Sequence, residues 1–148
     1  MSSDNEIKAL KSFHFKTSIP IRFADIDSFG HVNNAYYLTY FEIARTAYWS
    51  EILKWDLNVI GIILAKAEIT FIKPIMLNDE LIAYVKTSRI GNKSFTIDYA
   101  LATIKNGQED ICTTGRTVCI TYNYEEKCST LIPENYRLKM ESFEGLTS

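Results

Sequence analysis

The chain has 148 residues, 47% hydrophobic and 13% aromatic, enough apolar side chain for one packed core and about one domain. Sixteen Lys plus Arg oppose 18 Asp plus Glu, a formal net charge of −2. That balance argues against a nucleic-acid or anionic-membrane surface, which carries a basic excess, and the aromatic content argues against disorder. Three cysteines, Cys112, Cys119 and Cys128, form an odd set with no C-x-x-C pair, so neither a disulfide framework nor a zinc site is expected. Residues 1–11 (MSSDNEIKALK) show no basic or apolar stretch of a secretory signal, and the most apolar run, 59–65, is far short of the roughly 20 residues a membrane span needs. The expected compartment is the cytoplasm.

In chain order, residues 1–11 read as a flexible polar end. Residues 13–23 follow as a strand, with Phe13, Phe15, Thr17, Ile19, Ile21 and Phe23 on one parity and Pro20 marking an edge or a break. Residues 24–33 (ADIDSFGHVN) are a loop. From 34 to about 54 the pattern predicts a helix, with Asn33 or Asn34 as N-cap. Its apolar positions Tyr37, Phe41, Ala44, Tyr48 and Ile52 form one face, and Tyr36, Tyr40, Ile43 and Ala47 a second. A helix apolar nearly all round is buried. Glu42 and Arg45, at i and i+3, are placed to pair. Four strand-like stretches follow, 59–72, 80–90, 94–104 and 111–122, read as a meander. Gly91-Asn92 and Asn106-Gly107 between them are hairpin signals because both tolerate positive φ. Pro133 and the residues after it predict a short terminal helix, and 143–148 a second flexible end. One antiparallel sheet covers one helix only by curling around it, so the order predicts an α+β domain over residues 12–142 with sheet edges that favour self-association.

The chemistry concentrates in Arg22-Phe23-Ala24-Asp25-Ile26-Asp27-Ser28-Phe29-Gly30-His31-Val32-Asn33-Asn34. Two carboxylates, an imidazole and two carboxamides precede a helix start, where free amides and a partial positive charge receive an anion. A carboxylate beside an oxyanion site supplies the parts of acyl transfer. Asp25 reads as structural, holding the loop through backbone hydrogen bonds. Gly30 reads as a positive-φ or close-approach position. His14 has no visible partner.

The stretch RFADIDSFGHVNNAYYLTYFEIAR, from Arg22 to Arg45, resembles the signature of the 4-hydroxybenzoyl-CoA thioesterase-like branch of the hotdog-fold superfamily. Looser resemblance runs through Lys73-Pro74, the residues from Arg89 to Phe95, and Leu131-Ile132-Pro133. It implies a hotdog fold, a curved antiparallel sheet wrapped around one long central helix. It also implies hydrolysis of acyl-CoA by a homodimer or homotetramer with no metal and no cofactor beyond the coenzyme A of the substrate, and a place in fatty acid metabolism. Acyl-ACP hydrolysis and non-catalytic acyl-CoA binding are the alternatives within the resemblance. By motif position Asp27 is the catalytic nucleophile or general base and His31 its helper, and the oxyanion site falls on amides of Val32, Asn33 and Asn34. The His-Val-Asn-Asn version is closer to bacterial long-chain acyl-CoA and plant acyl-ACP thioesterases than to the aromatic acyl-CoA members. In the plant relatives an Asn stands where this chain has Phe29. Gly30 and Tyr37 are expected to line the substrate, and Arg89, Lys93 and Lys66 are candidates for the coenzyme A phosphates.

Overall fold

The computed structural model describes residues 4–146. Helix α1 (Asp4–Lys11) stands where the sequence suggested only a polar end. Eight residues make a marginal helix in isolation; tertiary packing holds this one. Leu10 is buried with Tyr84, Ala100, Ala102 and Ile111 on the outer face of the sheet. Residues 1–3 and 147–148, part of the ends expected to be flexible, lie outside the described residues.

Strand β1 (Phe15–Ile19) is shorter than the predicted 13–23. Pro20 has no N–H for the ladder, so the strand stops there and the chain passes into a single 3-10 turn, Phe23–Asp25. Helix α2 (Tyr36–Tyr48) continues in a π-helical turn, Trp49–Leu53, and ends where Lys54 takes φ 52°. Strands β2 (Gly61–Phe71), β3 (Glu80–Ile90), β4 (Ser94–Lys105) and β5 (Gln108–Asn123) follow, with a short β6 (Cys128–Ser129) and helix α3 (Glu134–Glu144).

The sheet order is β1-β3-β4-β5-β2, every pair antiparallel, with β6 on β5. Strands β3, β4 and β5 are the expected meander; β2 is not part of it. Residues 72–79 carry the chain across the sheet, leaving β2 at the edge beside β5. Asn106 (φ 53°) and Gly107 (φ 75°) make the predicted positive-φ hairpin, whereas Gly91 and Asn92 turn without positive φ, closed by the Gly91 N–H donating to the Ser94 carbonyl at 2.7 Å.

The sheet curls over α2, burying Tyr37, Tyr40, Phe41, Ala44 and Tyr48. Each large apolar side chain so removed from water contributes about 1.5–3 kcal/mol. Phe41 stacks on Tyr99 at 4.3 Å and 12°, over Gly115 of β5, where an added Cβ would lie 2.3 Å from the Phe41 ring. The glycine is what lets helix and sheet approach this closely. The helix is not wrapped all round: Leu38 and Ile43 are 41% and 39% exposed. The second apolar face predicted for it is therefore only partly covered within one chain. This is an α+β hotdog arrangement, its central helix spanning nearly the predicted residues but only α-helical as far as Tyr48.

Candidate active site

The loop between β1 and α2 is a small hairpin. Ile26 bridges Val32, His31 bridges Met76, and Gly30 at φ 85° makes the tip, as its position predicted. Its foundation is Asp25, 0% exposed. The Asp25 carboxylate accepts from Arg22 Nε at 3.0 Å, Arg22 Nη2 at 2.7 Å, the Arg22 amide at 3.1 Å and the Tyr40 hydroxyl at 2.7 Å. Burial pushes this carboxyl up, but the Arg22 side chain, the Tyr40 hydroxyl and the Arg22 amide together hold it below the ordinary carboxylate range. The Asp25 carbonyl also accepts from the Asn33 N–H at 2.8 Å, tying the two ends of the loop together. Asp25 is thus structural as expected, although through side chains rather than backbone alone. The i,i+3 spacing of Arg22 and Asp25 was visible in the sequence; the Tyr40 partner, on the far side of the loop, was not.

Asp27 is half-buried on this frame. Its Oδ1 accepts from the Phe29 N–H at 2.9 Å and the His31 N–H at 3.3 Å, and its own N–H donates to the His31 carbonyl at 2.8 Å. Oδ2 has no partner among the described residues. One oxygen is locked and the other left open, a geometry that aims a carboxylate without consuming it. The His31 imidazole, also half-buried, makes no hydrogen bond among the described residues; its link to Asp27 is through main chain only.

The expected oxyanion amides divide. The Val32 N–H donates to the Ile75 carbonyl at 2.8 Å, and the Asn33 N–H is already spent on Asp25. Among the described residues, the Asn34 N–H is the one of the three with no acceptor. Asn33 rather than Asn34 caps the turn, its Oδ1 accepting from the Ala35 N–H at 3.0 Å. Tyr37 is buried in the first turn of α2, its ring edge-on to Phe71 at 4.8 Å, and burial raises its hydroxyl pKa.

Arg89 and Lys93 are exposed, at the far end of β3 and in the turn after it. The Asp27 loop adjoins the N-terminus of α2, while the 91–93 turn lies beside its C-terminal end, where Trp49 and Trp55 pack on Phe95. Thirteen helical residues separate the two ends by about 20 Å, so within one chain these cations do not join Asp27. Lys66 pairs with Glu68 at 2.9 Å on the exposed edge strand. Glu42 and Arg45 do not pair within the chain, contrary to expectation; the Arg45 guanidinium lies over the Trp49 ring at 5.8 Å. His14 sits edge-on to Phe143 at 6.1 Å. No group of three or more potential metal ligands occurs among the described residues, and no helix among them is long and apolar enough to cross a membrane.

Residues 21–139 match the model of the thioesterase-like superfamily. An uncharacterized Bacillus subtilis protein, YsmA, is 31% identical over 115 residues, 77% of this chain and 76% of its own length. A Thermus thermophilus thioesterase, solved with coenzyme A and zinc, is 30% identical with TM-score 0.77, covering 91% of this chain and 98% of that one. A Pseudomonas aeruginosa protein superimposes with TM-score 0.81 at 23% identity over 90% of this chain and 93% of that one, a likeness of fold. With the curled sheet, the loop that opens α2 and these matches together, the chain belongs to the thioesterase-like superfamily of hotdog proteins.

Proposed function

We propose that this protein hydrolyses acyl-CoA thioesters to a free carboxylic acid and coenzyme A, with Asp27 as the reacting carboxylate. The observation that carries this is the split carboxylate, Oδ1 fixed by two main-chain amides and Oδ2 open, on the same short loop as the free Asn34 amide. Oδ2 attacks the thioester carbonyl carbon, or takes a proton from the water that does. In either route charge develops on the carbonyl oxygen, and an amide at a helix start is suited to receive it. The leaving thiolate needs little help from an acid, since a thiol pKa is about 8.5. His31, flanking Asp27 through main-chain bonds, orients the substrate. The coenzyme A bound by the Thermus thioesterase supports the choice of carrier.

The working unit in this reading is a homodimer, cytoplasmic and acting in fatty acid metabolism. Strand β2 is an eleven-residue edge with one side unpaired and with Leu64 and Phe71 exposed; such an edge invites pairing with a second copy. Pairing also offers a route by which Arg89 and Lys93 of one copy reach the substrate of the other. The test is thiol release from short-chain, long-chain and aromatic acyl-CoAs, each run beside the matching acyl-ACP. Faster release from at least one acyl-CoA than from its ACP counterpart is expected; no release from any of them refutes the reading.

A further inference from the structure

Strand β2 pairs with β5 on one side, and no strand among the described residues pairs with the other. Its two faces are set by β5. Ala67, Ile69 and Phe71 stand opposite Thr117, Gly115 and Thr113, on the face turned to α2. Leu64 stands opposite buried Cys119 on that same face, because the irregularity between Leu64 and Lys66 adds one residue to the strand. Lys66 and Glu68 alternate with this row and lie on the other face, where both are exposed.

In an antiparallel pair, residues directly opposite share a face and interact, which restricts how a second copy of β2 docks on this edge. Centring the two-fold axis on Ala67 alone sets Lys66 of each copy opposite Glu68 of the other. Moving the axis to Lys66 opposes lysine with lysine, and moving it to Glu68 opposes glutamate with glutamate. Placing it between residues turns the apolar face of one copy onto the polar face of the other. With the axis on Ala67 and the extra residue carried through, Ile69 meets Leu64 and Phe71 meets Ile62 of the second copy, all on the face towards α2. The pair that Lys66 and Glu68 make within the chain then becomes an alternating cluster of four charges.

Beyond the strand, the same alignment carries residues 73–76 of one copy past the turn at 57–60 of the other. That turn displays Leu57 and Val59, the latter 71% exposed, and on the facing side Met76 and Phe29 are likewise large, apolar and uncovered. Met76 belongs to the Asp27 hairpin: its backbone bridges His31, and its terminal methyl lies 4.0 Å from where a side chain on Gly30 would begin. Resting on the homodimer proposed above, we infer that the Asp27 site is composite. Two copies pair β2 to β2 about Ala67, and Leu57 and Val59 of each form the apolar outer wall over the Asp27 hairpin of the other.

Two experiments on the full chain test this. In a Cys128→Ser background, single cysteines replace Lys66, Ala67 and Glu68, and oxidised glutathione is added. Directly opposed residues have Cα atoms about 4.5–5.5 Å apart, within disulfide reach, so Ala67→Cys should give a covalent dimer and Lys66→Cys and Glu68→Cys should not. Faster cross-linking at 66 or 68 than at 67 overturns the pairing, as does a parent that is monomeric by light scattering. The second experiment mixes Asp27→Asn with Val59→Glu and lets the copies re-pair. Each variant alone should lose at least about tenfold in thiol release. The mixture should recover about a quarter of the parent rate, the statistical share of sites that combine Asp27 of one chain with Val59 of the other. No recovery although mixed dimers form means that Val59 serves its own chain, and the composite site is wrong. If Val59→Glu fails to fold or to pair, Val59→Trp takes its place. Should the parent release no thiol, the hydrolase reading fails on its own, and the cross-link still decides the pairing.

Discussion

Tyr40→Phe removes one hydroxyl from the centre of the loop that carries Asp27. That hydroxyl donates at 2.7 Å to a carboxylate with no solvent exposure, so no water replaces it. A hydrogen bond to a buried charge is worth about 1.5–3 kcal/mol, and at this chain length each kcal/mol moves Tm by about 2–4 °C. The expected loss is about 3–12 °C near neutral pH, read by calorimetry or circular dichroism. The sign of the pH dependence follows from Asp25, whose carboxyl is held below its ordinary value of 3.8. Its contribution is fully present above 3.8 and is lost as the pH falls through the lower folded value. The gap between parent and variant should therefore narrow in acid. Because the Asp25 carbonyl also anchors Asn33, kcat should fall with the loosened loop. A Tyr40→Phe protein with unchanged Tm at pH 7 refutes the claim that this network holds the loop.

The Asp27 variants should separate stability from activity: Asp27→Asn keeps an acceptor for the Phe29 and His31 amides and melts with the parent, while Asp27→Ala loses both anchors and about 1–2 kcal/mol by denaturant titration. Gly115→Ala drives a methyl into the Phe41 ring and should cost about 1–3 kcal/mol as overpacking, visible as a lowered midpoint; an unchanged midpoint contradicts the close approach of helix and sheet. Glu144 accepts from the Thr87 amide and the Tyr48 hydroxyl, and burial, stronger than these bonds, raises its carboxyl above the ordinary 4.5. The folded state thus favours the protonated form, a stabilisation present below 4.5 and lost as the pH rises through the folded value. Glu144→Gln should consequently gain on the parent in melting point between pH 4 and pH 7, and a constant difference would contradict this.

Local signals were the legible ones. The alternation and turn residues gave β3, β4 and β5, the Asn106-Gly107 turn and the loop before α2, because each depends on neighbours in sequence. Where distant residues decide, the sequence was silent or misleading. Helix α1 exists because Leu10 finds Tyr84 and Ile111, and β2 leaves the meander because its apolar row belongs beside β5. The second apolar face of α2 pointed to complete burial, yet Ile43 stays exposed in one chain. At the site, motif position pointed to Asp27 and to the amides of Val32, Asn33 and Asn34, but which of those amides remain free depends on Ile75, a partner some forty residues away. Arg45 looked like the natural mate of Glu42 at i,i+3; its side chain instead turns onto Trp49.

The most direct test of the account is the rate of thiol release from a saturating acyl-CoA by Asp27→Asn beside the parent, with both melting curves recorded. The account predicts a fall of about 10²–10⁴ in kcat at an unchanged Tm. A variant that turns over as fast as the parent would contradict it.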